Sequence, residues 1–207
     1  MLDIEMVVAR YKEDIGWLED IKHRKTIYNK GPDTIQNAIQ LKNTGRESHT
    51  YLHHIVENYD NLADITIFTQ AHPFDHYGDF ISVANLSSIQ KMAKARNMPH
   101  NEDFCPMTYV WHYDISQKVD VEWALQHITP HALIAMEVMF PRYKPLKKYI
   151  CVLGAIFAVS KKAILSFEKR KYQELLKLHD QFWSMPWAME ILWGHMFYGP
   201  EQPKEKW

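Results

Sequence analysis

The chain has 207 residues, 46% of them hydrophobic, enough to fill one core and short for two, so a single domain over 1–207 is expected. Lys+Arg 24 against Asp+Glu 25 leaves a net charge of −1, which supplies no overall field to favour nucleic acid or an anionic membrane. Cys105 and Cys151 stand far apart and outside any CxxC or Cys/His metal pattern, as expected of a reduced, cytoplasmic protein.

Residues 4–9 form a continuous apolar run with β-branched members, the pattern of a buried first strand. Acidic residues stand where a signal peptide would carry Lys or Arg. The longest apolar run, 149–159, falls far short of the ~20 residues of a membrane-spanning helix, so no transmembrane segment is expected. A turn at 12–14 leads to a short helix over 15–21. A second strand over 25–28 is stopped by Asn29-Lys30-Gly31-Pro32, and a third lies over 39–41.

Thr44-Gly45-Arg46-Glu47 has the spacing of a capping box, in which the Thr hydroxyl accepts from the Glu47 N–H and the Glu side chain reaches back to the cap. The helix it opens carries Tyr51, Leu52, Ile55, Val56 and Tyr59 at helical spacing and stops at 58–61. Residues 65–69 read as a central strand, ended by the loop 70–79 with its helix-breaking Pro73. Beyond it the pattern predicts a helix over 87–97, a strand over 107–111 and a helical region over 120–139 interrupted near Pro130. A buried strand over 150–159, an N-cap at Ser160 and helix to 197 with a break at Pro186 follow, and 199–207 reads as a loose tail. Strands alternating with helices make this an α/β protein with a central mixed sheet.

The segment 43–79 holds the chemistry. A helix start offers free N–H groups and partial positive charge, Gly45 admits a ligand to the backbone, and Arg46 adds a planar fork suited to phosphate. The plainer reading is a capped helix with a solvated Arg. In the loop HPFDHYGD, His72, Asp75, His76 and Asp79 follow an apolar strand and could share a divalent ion, Mn2+ suiting the mixed ligands better than Mg2+. The same loop read plainly is a polar turn. QAHPFDH resembles the HxHxDH zinc motif of metallo-β-lactamase-type hydrolases, but Gln70 replaces the first His and the gap from His72 to Asp75 is one residue too long. His49 and His53 have zinc-compatible spacing, without the Glu of HExxH. Glu190 lies at helical spacing from Trp187, Trp193 and Phe197, where burial would raise its pKa toward that of a general base. His195 follows on the same stretch. No GxSxG, P-loop or GxGxxG is present.

The order VVARYKEDIGWL, TIYNKG, NTGRESHTYLHHIVENYDNL, DITIFTQAHPFDH and LGAIFAVSKKAI resembles small GT-A-type glycosyltransferase domains. The resemblance is to one encoded by a chlorella virus and to its fungal, bacterial and viral relatives. It implies a GT-A-like nucleotide-sugar-binding fold, a UDP-sugar donor with Mn2+ or Mg2+, a glycan acceptor, and for a viral protein the host cytoplasm. Ala9, Arg10, Tyr11 and Asp14, with Tyr28, Asn29 and Lys30, would then line the uridine and ribose pocket, and Arg46 would meet the diphosphate or donor sugar. Gln70-Ala71-His72 stands where an Asp-x-Asp metal motif is expected, with metal ligands among His72, Asp75 and Asp79 and with His76 and His195 as alternatives. Glu190 would activate the acceptor hydroxyl if the anomeric centre is inverted.

The expected function is therefore metal-dependent transfer of a hexose or deoxyhexose from a UDP-sugar to a glycan acceptor, for glycoprotein or surface-glycan synthesis, in a domain compatible with a longer multidomain chain. The alternatives are a metal-dependent hydrolase built on His72, Asp75 and His76, and a non-catalytic carbohydrate-binding domain.

Overall fold

The structure is a computed structural model describing residues 2–98, 100–114, 122–142 and 148–198; the expected tail 199–207 and the first residues of the helical region at 120–139 lie outside it. β1 (Ile4–Arg10) is buried along its whole length. Its alternating side chains feed two cores: Val7 and Ala9 join one apolar cluster, Ile4, Met6 and Val8 the other, as the two-residue period of a strand covered on both faces requires.

A 3-10 turn at Gly16–Asp20 takes the place of the helix expected over 15–21. β2 (Arg24–Asn29) and β3 (Ala38–Gln40) follow, then α1 (Arg46–Glu57) and β4 (Ile65–Gln70). α2 (Phe80–Ala84) and α3 (Ile89–Arg96) cover one face; Ser88 caps α3 by accepting from the Lys91 N–H at 3.3 Å. β5 (Phe104–Pro106) and β6 (Val110–Asp114) replace the single strand expected over 107–111, which straddles the gap between them. α4 (Glu122–Met139) continues through Pro130 rather than stopping there, forgoing the hydrogen bond that proline cannot donate.

β7 (Lys148–Val152) and β8 (Phe157–Ser160) occupy the run expected as one strand. Gly154 (φ 68) and Ala155 (φ 50) turn the chain in left-handed conformation between them, sending the two halves into different sheets. Ser160 caps α5 (Lys161–Leu165) as expected, its hydroxyl accepting from the Ala163 N–H at 3.0 Å. α6 (Lys169–Gln181) and α7 (Met185–Tyr198) complete the chain. The break expected at Pro186 falls before it, because proline is accommodated in the first turn of a helix, where its missing N–H costs nothing.

The main sheet has the order β3-β2-β1-β4-β8-β5, with β6 and β7 in a separate pair. β3, β2, β1 and β4 are parallel neighbours, and β8 runs antiparallel to both β4 and β5. The protein is thus α/β with a mixed six-stranded sheet flanked by helices. Among the described residues no helix is long and apolar enough to cross a membrane.

Candidate functional site

From β1 the chain winds outward through β2 to β3, then returns through α1 to β4 on the other side of β1. This reversal opens a crevice at the carboxyl ends of β1 and β4, where Ala9 and Gln70 are register partners and where open α/β sheets bind their ligands. A cavity of about 460 Å³ lies there. Ala9, Arg10 and Gln70 line it from the strand ends, Tyr11 and Glu13 from the loop after β1, and Lys30 from the end of β2. Asn43, Arg46 and Glu47 close it from the start of α1.

Of the expected donor residues, Ala9, Arg10, Tyr11, Lys30, Arg46 and Gln70 meet at this cavity, whereas Asp14, Tyr28 and Asn29 are not part of its lining. Asp14 is exposed and accepts from the Gly16 N–H at 3.1 Å. Tyr28 is a core residue, 2% exposed, its hydroxyl 3.1 Å from His54 Nδ1. Asn29 is fully buried and knits the β2 end together: its Oδ1 accepts from Arg10 Nη1 and the Gly31 N–H, and its Nδ2 donates to Asp33 O and Gln40 Oε1.

The two arginines of the cavity differ in what remains of their donors. Arg10 donates from both terminal nitrogens to the Asp33 carboxylate, at 3.1 and 2.8 Å, and from Nε to Glu13 O at 2.8 Å. Its fork is committed to holding the loops after β1 and β2. Arg46 has no hydrogen bond or ion pair to its guanidinium among the described residues; its guanidinium carbon lies 4.9 Å from the centroid of the Trp187 ring. A cation over an indole face is held electrostatically without consuming any N–H.

The helix start is not the expected capping box. Gly45 (φ 59) is the cap residue, with no side-chain cap hydrogen bond, and Arg46 is also left-handed (φ 47). A left-handed turn points the Thr44 and Arg46 carbonyls toward Lys30, whose Nζ donates to Thr44 O at 2.6 Å and to Arg46 O. Lys30, 6% exposed, thus braces the turn through its carbonyls, a different device from the expected cap, in which the Thr44 hydroxyl accepts from a backbone N–H. Burial pulls its ammonium down to about 8, against the opposing pull of Glu47. Gly45 is required on two counts: its φ, and the His179 ring, which a Cβ would approach to 2.6 Å. Ser48 Oγ lies 2.8 Å from His179 Nε2, locking α6 against the same turn.

Glu13, Asn43 and Glu47 also line the cavity; Glu13 lies in the 9–14 loop and Glu47 in the 44–47 helix start expected at the donor, though neither is singled out in the sequence, and Asn43 is new. The Glu13 carboxylate is fixed by the Tyr11 and Lys12 N–H groups at 2.7 and 3.0 Å. Burial raises the pKa of Glu47, which its own backbone N–H, Arg46 and Lys30 counteract. The signal was in the motif: a Glu in the first turn of a helix is near its open N–H groups whether or not it caps.

Glu190 stands on α7 one turn after Trp187. Its Oε1 accepts the Gly154 N–H at 3.0 Å. Burial pushes its carboxyl up to about 7; the Gly154 bond and Arg46 oppose this and Glu47 adds to it. A half-buried carboxylate poised near neutrality in electrostatic contact with two cavity residues can accept a proton at physiological pH.

The loop after β4 is less convergent than its composition. His72 Nε2 lies 3.3 Å from Asp75 Oδ1, both side chains exposed. Asp79 is exposed at the start of α2. His76 covers Gly154, where a Cβ would come within 2.6 Å of its ring. His195, an alternative ligand from sequence, is instead 5% exposed in the core beside Phe140 and Tyr149, with burial pulling its pKa down to about 4. Among the described residues no three His, Cys, Asp or Glu side chains form a metal-holding group. At this loop a divalent ion would find the pair His72 and Asp75.

The profile of the family described as protein of unknown function (DUF3431) matches residues 6–206. The chain belongs to this family. The match runs from within β1 through α7, so the cavity, Glu190 and the loop after β4 all fall inside the family domain. No curated protein and no solved structure matches the chain.

Proposed function

We propose that this member of the family is a metal-dependent glycosyltransferase of GT-A type, moving a hexose or deoxyhexose from a UDP-sugar to a glycan acceptor. The observation that carries the reading is the cavity at the switch point between β1 and β4, lined by a cationic Arg46 with unspent donors. A parallel β3-β2-β1-β4 half continued by the antiparallel β8 is compatible with a nucleotide-sugar-binding fold.

Arg46 and the first turn of α1 would receive the diphosphate, Lys30 holding the backbone of that turn in place. Tyr11, 41% exposed at the rim, offers a ring for the uracil or the sugar. Glu190 would take the proton of the acceptor hydroxyl as that oxygen attacks the anomeric carbon, giving inversion. His72 and Asp75 would hold the divalent ion, which when bound would offset charge on the departing diphosphate.

The test is a thermal-shift series with UDP, GDP and CMP, each with and without Mn2+. A ligand of the native state raises the midpoint: UDP with Mn2+ is expected to do so, GDP and CMP less. No shift with any nucleotide ends the reading, and metal-dependent turnover of a simple phosphoester without nucleotide replaces it with a hydrolase.

A further inference from the structure

Arg46 is held at two points. Its carbonyl accepts from buried Lys30, and its guanidinium lies 4.9 Å from the Trp187 ring. Trp187 does not line the cavity and would pass for a core residue of α7. Its ring is met edge-on by Trp183 at 5.6 Å, and its backbone N–H joins the first turn of α7 by donating to Ser184 O at 3.2 Å.

A long exposed arginine on a turn samples many rotamers and loses that freedom when it closes on an anion. Ion pairing to a neighbouring carboxylate would fix it, but would also use the donors and charge the ligand needs, as happened to Arg10. An indole fixes the guanidinium while leaving its five N–H donors available. We infer that Trp187 is a positioning residue of the anion site, holding Arg46 over the cavity ready for phosphate oxygens. This rests on the reading of the cavity as a diphosphate site, and extends that site onto α7, the helix that carries Glu190 one turn further on.

Calorimetric titration with inorganic pyrophosphate tests the inference, and UDP run in parallel tests the nucleotide part of the reading. Trp187→Leu is expected to weaken pyrophosphate binding about threefold to tenfold, whereas Trp187→Phe, which keeps an aromatic face, stays within about twofold. In an Arg46→Ala background, Trp187→Leu should change the affinity no further, because its effect passes through the guanidinium. The unfolding midpoint of each ligand-free variant separates loss of fold from loss of positioning. Equal weakening in the Arg46→Ala background, an unchanged affinity in Trp187→Leu, or no pyrophosphate binding by the wild type overturns the inference. Pyrophosphate binding with the expected variant pattern, but with no gain from the uridine of UDP, removes the UDP-sugar reading and leaves the role of Trp187 standing.

Discussion

The backbone N–H of Gly154 donates to Oε1 of Glu190 at 3.0 Å, joining the turn that splits β7 from β8 to the carboxylate proposed as the base. His76, from the loop after β4, packs over that same glycine. Two regions far apart in sequence are thereby brought beside one carboxyl group, whose second oxygen has no hydrogen bond among the described residues.

Glu190→Gln keeps the shape and removes the base. Transfer is expected to be lost while UDP affinity stays within about twofold, since the side chain is not in the cavity lining. With the wild-type carboxyl pushed up to about 7, turnover should rise with pH through a midpoint near 7. A folded pKa above the unfolded value means that protonation favours the native state, so this contribution is full below about pH 4.5 and is lost as pH rises through 7. The Gln variant should therefore gain stability over wild type as pH rises, by at most about 3 kcal/mol. Urea unfolding at pH 4.5 and 8 measures it; full transfer activity in the variant would remove Glu190 from the mechanism.

Asp75→Ala tests the metal pair. Asp75 is exposed, with His72 Nε2 at 3.3 Å from its carboxylate, so the fold should tolerate the change within about 0.5 kcal/mol. The Mn2+-dependent part of UDP binding should disappear. Unaltered Mn2+ dependence in the titration would pass the role to other side chains.

Arg10→Lys separates scaffold from ligand contact. Lysine cannot reproduce the fork that spans Asp33, Glu13 O and Asn29. Because Asp33 is 43% exposed, water screens part of the pair, and a loss of about 1–2 kcal/mol in unfolding free energy is expected. Ligand affinity measured below the lowered midpoint should change little. A large affinity loss at unchanged stability would reverse the assignment.

Burial pulls His49, His54, His179 and His195 each down to about 4. Their folded pKa values lie below the unfolded value of 6.5, so the stability tied to their neutral forms is complete above pH 6.5 and drains away as pH falls toward 4. Each can contribute a slope of up to about 1.4 kcal/mol per pH unit in that window. Urea midpoints between pH 7.5 and 4.5 should fall steeply, and His54→Gln should flatten the curve. A flat wild-type profile would contradict the buried neutral assignment.

The strands that build the crevice could be read from sequence because β1 and β4 are short apolar runs with polar stops, and a strand covered on both faces leaves little else to write. Their alternation with helices also gave the place of the cavity. The start of α1 was legible in position but not in chemistry. Thr44 and Glu47 have the spacing of a cap, yet a lysine fourteen residues earlier satisfies the turn, and no local pattern announces a partner from another strand. Gly154 inside an apolar run looks like a gap in one strand until its positive φ is known. Trp187 was hidden by its company: among Trp193, Phe197 and other core side chains, an aromatic facing a cavity arginine looks like one more packed ring. In the His/Asp loop the structure pairs His72 with Asp75, and closeness in sequence does not by itself make the other side chains converge.

Both borders of the six-stranded sheet are three-residue strands, β3 on one side and β5, ending in Pro106, on the other. Neither leaves a ladder of free amides long enough to template a visiting strand. The borders of this sheet are therefore closed to a second copy, and a cross-β route out of the native state through the main sheet would first require one of them to peel away.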